Sequence, residues 1–173
     1  MEQLFIDDDV VGGVEVMPAG NAAWVAEQMA AIARHSAAHR TAYGWSDMYV
    51  RPPAPADVER LGIPFAAAVD ALAPLFPPIG QVVTGRTDRP QIIARAKAFG
   101  PSLLTAAVLY RQPAGTAIQT IELTLRGSDT EQEAVLSALA ALPSPEPLMV
   151  VDWDRARAAL FGDSEAIGRF IAS

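Results

Sequence analysis

The chain has 173 residues, with 13 Lys and Arg against 20 Asp and Glu for a net charge of −7, and it contains no cysteine. That length fits one domain with a core of its own, which needs no disulfide or metal to fold. The missing thiols exclude disulfide frameworks, thiolate zinc sites, iron–sulfur clusters and cysteine nucleophiles. An acidic balance argues against a chain-wide nucleic-acid footprint, which would require clustered Lys and Arg.

Residues 3–6 and 10–16 read as short strands around the acidic turn Asp7-Asp8-Asp9, and Gly12-Gly13 suggests a bulge or close backbone approach. Acids stand where a secretory leader places basic residues, so no leader is expected there. Asn21 is positioned to cap a helix running to about Arg40, whose Val25, Met29, Ile32 and Ser36 share one face. The prolines Pro52, Pro53 and Pro55 mark a non-helical stretch, Asp57 opens a short helix, and a further helical piece spans 65–75. The apolar run from Leu61 to Gly80 carries Asp70 and Pro64, Pro74, Pro77 and Pro78, which breaks it too often for a membrane span.

Gln81 to Thr84 reads as a brief strand. Asp88 followed by Pro90 resembles a helix start, with Ile92, Ile93, Ala96 and Phe99 as the apolar side and Gly100-Pro101 as the stop. Residues 103–111 and 117–126 flank the turn QPAGT, and alternation in the second run predicts an antiparallel hairpin with one solvated face. Ser128 with Glu131, or Thr130 with Glu133, makes a capping box for the next helix, which Pro143 ends. A strand at 148–153, an ambiguous DRARAALF and a last helix capped by Asp163 or Ser164 complete the chain. This mixed order predicts a single α+β domain over 1–173 with a mainly antiparallel sheet built from hairpins and helices packed against it.

The chemistry-bearing motifs are few. No phosphate loop, dinucleotide fingerprint, nucleophile elbow, HExxH or calcium loop is present. Any catalysis would fall to carboxylates or to His35 and His39, the only histidines. These two stand four residues apart in the best helix, the spacing at which one helix offers two imidazoles to a metal; Asp7, Asp8, Asp9 or Asp47 would supply a third ligand, and Trp24 or Trp45 would line such a small-molecule site. The alternative for these histidines is a purely structural role at the edge of the core.

Tyr43, Trp45, Asp47, Tyr49 and Arg51 would share one face of an extended segment, and Tyr, Trp and Arg are the residue types that most often anchor interfaces. Arg86, Arg89, Arg95 and Lys97, with Thr87 at the predicted helix start, form a local basic patch suited to an anion, while Asp152 and Asp154 flank Trp153 at the spacing of a carboxylate pair. Catalytic poverty and acidity together favour a non-enzymatic protein-binding or accessory module. An immunity-type inhibitor of a basic partner belongs to this class. The expected setting is the cytoplasm of a bacterium, with a homodimer allowed, no membrane, and no cofactor required. An enzyme or small-molecule binder using His35 and His39 with a carboxylate, metal-dependent or not, is the competing reading.

Overall fold

The computed structural model describes residues 2–6, 13–86 and 89–172. Its elements in chain order are β1 (Gln3–Phe5), β2 (Val14–Pro18), α1 (Ala22–His39), β3 (Arg40–Thr41), β4 (Gly44–Trp45), α2 (Phe65–Leu72), β5 (Pro78–Ile79), β6 (Gln81–Arg86), β7 (Arg89–Ile92), β8 (Ala96–Ser102), β9 (Thr105–Arg111), β10 (Ile118–Leu125), α3 (Asp129–Ala138), β11 (Leu148–Asp152), β12 (Arg157–Leu160) and α4 (Ser164–Ala172). The strands form mostly antiparallel sheets ordered β10-β9-β8-β5, β12-β11-β2 and β1-β6-β7, plus the hairpin β3-β4. This is an α+β fold, and no described helix is long and apolar enough to cross a membrane.

The main core lies between the first two sheets. Phe99, Ala107, Leu109, Ile118 and Ile121 meet Val16, Leu148, Val150 and Ala159, and α2, α3 and α4 close the space with Ala68, Leu72, Val135, Leu136, Ile167 and Phe170. Strand pleating turns alternate residues of β11 the other way, so Met149, Val151 and the following Trp153 join Met17 and Val25 beneath α1. Val25, Met29 and Ile32 do form the inward face of α1. Both faces of the β12-β11-β2 sheet are therefore covered.

The β9–β10 hairpin forms in the expected antiparallel sense, with Leu109 opposite Ile121. The predicted single solvated face does not hold for β9. Ala106, Val108 and Tyr110 lie beneath the β1-β6-β7 sheet, packed with Leu4, Ile79 and Val82. The two short strands read on either side of the acidic turn join different sheets: β1 pairs in parallel with β6, while β2 pairs with β11. Asp7, Asp8, Asp9, Gly12, Thr87 and Asp88 lie outside the described residues.

The largest correction concerns the helix predicted from Asp88 to Phe99, which is replaced by β7 and β8. Ala96 and Ala98 face the small sheet while Phe99 enters the main core; with both faces of β8 covered its apolar residues lose simple alternation, and Ile92, Ala96 and Phe99 fall at helical spacing. Pro90, which lacks an N–H, is accommodated in β7, an edge strand, opposite Gly85. Gly100 is not a helix stop. It sits in an irregularity of β8 where a Cβ would lie 2.2 Å from the Thr105 carbonyl oxygen.

Capping follows the local sequence at two of three helices. Ser128 and Glu131 complete the capping box of α3, and Asp163 Oδ1 accepts from the Ala166 N–H at the start of α4. Asn21 makes no capping bond, because a 3-10 turn (Ala19–Asn21) leads directly into α1. Its amide instead donates to the Ala56 carbonyl at 2.6 Å while its oxygen accepts from the Ala56 N–H at 3.3 Å.

Asp152 is buried, 2% exposed, on the main-core face of β11. It stands opposite Arg157 of β12, whose Nε donates to Oδ2 at 3.1 Å, and its Oδ1 accepts from the Arg155 N–H at 3.0 Å. Arg157 also donates to the Phe170 carbonyl in the last turn of α4, where a cation complements the helix end. Asp152→Ala is expected to lower stability by about 1.5–3 kcal/mol by removing the charge-assisted bonds that the half-buried Arg157 guanidinium and the Arg155 N–H make to it; Asp154→Ala, at an exposed position, should stay within about 0.5 kcal/mol. Gly100→Ala should cost about 1–3 kcal/mol through backbone overpacking. Urea unfolding of the three variants checks these values.

Candidate functional site

The site is built on one edge of α1 and on the chain that doubles back along it. Gln28, His35 and His39 recur at seven and four residues, a single stripe of the helix. The helix ends at the hairpin Arg40–Trp45, whose strands pair Arg40 with Trp45 and Thr41 with Gly44. Thr41 Oγ1 donates to the Gly44 carbonyl at 3.1 Å and accepts from the Tyr43 N–H at 3.3 Å. Gly44 has φ +133°, a conformation that favours glycine. The turn then directs Ser46 to Val58 back past α1 as a strap.

Three side-chain anchors hold the strap. Tyr49 donates its hydroxyl proton to Gln28 Oε1 at 2.9 Å. Arg51 reaches Glu15 of β2 with both terminal nitrogens, at 2.7 and 3.4 Å, and its guanidinium stands 3.9 Å from the centre of the Trp153 ring. The third anchor is the pair of bonds between Asn21 and Ala56. Trp24 meets Trp153 edge to face, with ring centres 5.9 Å apart, and so belongs to the packing beneath α1.

Between helix and strap lie the two histidines. Their rings are stacked with centres 4.2 Å apart, and Tyr49 lies 5.5 Å from His35 on another side. Asp47 of the strap brings Oδ2 to 3.8 Å from His35 Nε2. Ser46 Oγ lies 3.5 Å from His39 Nδ1, and its hydroxyl and N–H both donate to the His39 carbonyl. One donor atom each from His35, His39 and Asp47 falls within 4.8 Å of the others, so these three residues could hold a metal. Among the described residues Asp47 is the aspartate that lies beside the histidines; Asp7, Asp8 and Asp9, the others that the sequence offered, lie outside the described residues.

The residues expected to share one docking face are divided by the strap. Tyr43 and Trp45 are 103% and 66% exposed, and Met48 and Val50, which the sequence reading passed over, are 81% and 80% exposed. Tyr49 and Arg51 point inward as anchors, and Asp47 faces the histidines. The basic patch is dispersed: Arg89 lies opposite Arg86 at the end of the β6–β7 hairpin, Arg95 donates to Gln119 Oε1 at 2.8 Å, and Lys97 is exposed on β8. The helix N-terminus proposed to complete an anion site is a strand, so that expectation is withdrawn. Asp152 and Asp154 likewise form no catalytic pair, since Asp152 is consumed by Arg155 and Arg157.

A groove of about 960 Å³ opens elsewhere, between β1, β2, the strap and β10. Its carboxylates have internal partners: Glu15 binds Arg51, Asp57 accepts from the Arg60 N–H at 3.0 Å, and Glu122 accepts from the Tyr110 hydroxyl at 2.7 Å. Among the described residues no group like the histidine cluster is found there. Tyr49→Phe tests the strap anchor beside that cluster. It leaves the oxygen of the buried Gln28 without the phenol donor and should cost about 1–3 kcal/mol in chemical unfolding. No family model matches this chain, and no curated protein or solved structure matches it either.

Proposed function

We propose that the chain is a non-enzymatic protein-binding module that docks a partner through the hairpin and strap following α1. The observation that carries this reading is the exposure of Tyr43, Trp45, Met48 and Val50 within eight residues of a segment whose other side chains anchor it. Large apolar side chains gathered in water are costly in a monomer and frequent at interfaces, and tyrosine and tryptophan bury area with few rotors. Tethering by Tyr49, Arg51 and Asn21 lowers the ordering cost that binding would otherwise incur. The same anchoring accounts for the different roles of the two tyrosines of this motif, Tyr43 presented and Tyr49 structural.

The net charge of −7 favours encounter with a cationic protein surface and disfavours nucleic acid. An accessory subunit or immunity-type inhibitor in the cytoplasm, acting on a basic partner, is the specific form that fits. A photo-cross-linking side chain placed at the exposed position 42, beside the patch, in the producing cell should trap one basic protein. Tyr43→Ala/Trp45→Ala should then reduce capture of that protein at least about tenfold, with the unfolding midpoint unchanged because these side chains are exposed. Equal capture by this variant, or cross-links only to a second copy of the chain, would overturn the reading.

A further inference from the structure

We infer that His35, His39 and Asp47 form a binding site for one divalent ion of the zinc type, which clasps the strap to α1. The three donor atoms lie within 4.8 Å of one another, the only such group among the described residues. Tetrahedral zinc with bonds of about 2.0–2.1 Å places its ligands roughly 3.3 Å apart, so closure requires the side chains to draw in by about an ångström or more. Side-chain torsions supply movement on that scale.

An independent observation supports the assignment. His35 Nε2 is buried and has no hydrogen-bond partner, and it points toward the Asp47 carboxylate at 3.8 Å, too long for a hydrogen bond. Buried polar nitrogens are normally satisfied, and a metal lying between this nitrogen and the carboxylate would satisfy both. The stacked rings bring a second imidazole alongside the first, and because an imidazole donates in its ring plane, the rings must tilt toward one another for both nitrogens to reach one ion. Two imidazoles and one carboxylate suit zinc, cobalt, nickel or copper better than calcium or magnesium, which take oxygen ligands.

Ser46 Oγ near His39 Nδ1 supplies the kind of outer contact that orients a ligating ring. Three protein ligands leave a tetrahedral ion one position for water or for a donor from another molecule. Because the histidines belong to α1 and Asp47 to the strap, binding would couple directly to strap closure. The inference stands without the docking proposal, since metal affinity is measured on the isolated protein and partner capture separately.

The full chain, free of any polyhistidine tag, provides the test, because His35 and His39 are its only histidines and it has no cysteine. Zinc titrated against a chromophoric chelator should bind at one equivalent and raise the unfolding midpoint. His35→Gln, His39→Ala and Asp47→Asn should each weaken binding at least about tenfold, as expected for loss of a ligand or of its support. Asp154→Asn should leave it unchanged. Cobalt(II) should give the intense visible bands of a tetrahedral site.

Histidine ring signals in the NMR spectrum of the unaltered protein provide a readout that requires no variant to fold. Both should shift on adding zinc to one equivalent. Unshifted rings at saturation, or zinc affinity equal in the wild type and a His35→Gln/His39→Ala variant, would overturn the assignment.

Discussion

The architecture depends on β11 being buried from both sides. Leu148 and Val150 enter the main core while Met149 and Val151 support α1, so one short strand sets the spacing of two layers. Alternate pleating allows this only if every position is apolar or internally paired. Asp152 is the exception that meets the condition: it turns toward the core face and meets Arg157 directly across the ladder. Through Arg157 and the Phe170 carbonyl, the same contact joins the sheet to the end of α4.

With α1 fixed by β11, its remaining edge becomes available for other chemistry. The inward residues Val25, Met29 and Ile32 are committed to packing, and Gln28, His35 and His39 lie on the adjoining stripe. The short hairpin at Gly44 returns the chain along that stripe, and three anchors keep it there. The strap therefore has two sides with different work. Its inner side holds Asp47, Tyr49 and Arg51 against folded elements, and its outer side presents Tyr43, Trp45, Met48 and Val50 to solvent.

The central ladder shows a related economy. Every residue from Thr105 to Tyr110 is buried because β9 separates the main core from the pocket beneath the small sheet. Its alanines Ala106 and Ala107 permit close layers on both sides, and Gly100 of β8 permits the adjoining backbone to approach Thr105. Small residues at these points are a packing requirement.

The amino-acid sequence by itself determined the elements whose signals are local: α1 and its inward face, the β9–β10 pairing, a capping box at Ser128 or Thr130, a cap at Asp163 or Ser164, and the α+β class. It also exposed the histidine pair, because spacing along one helix is a local property. Residues 89–102 defeated the same reasoning, since Ile92, Ala96 and Phe99 fall at helical spacing while burial of β8 on both faces hides its alternation, and only pairing with β6 and β9 selects a strand. Tertiary structure decided that Asp47 lies beside the histidines, which aromatics of the strap are presented, and that Asp152 is structural. Each of these depends on where the chain returns after a turn, and that is set by long-range packing and anchoring contacts that no window of neighbouring residues contains.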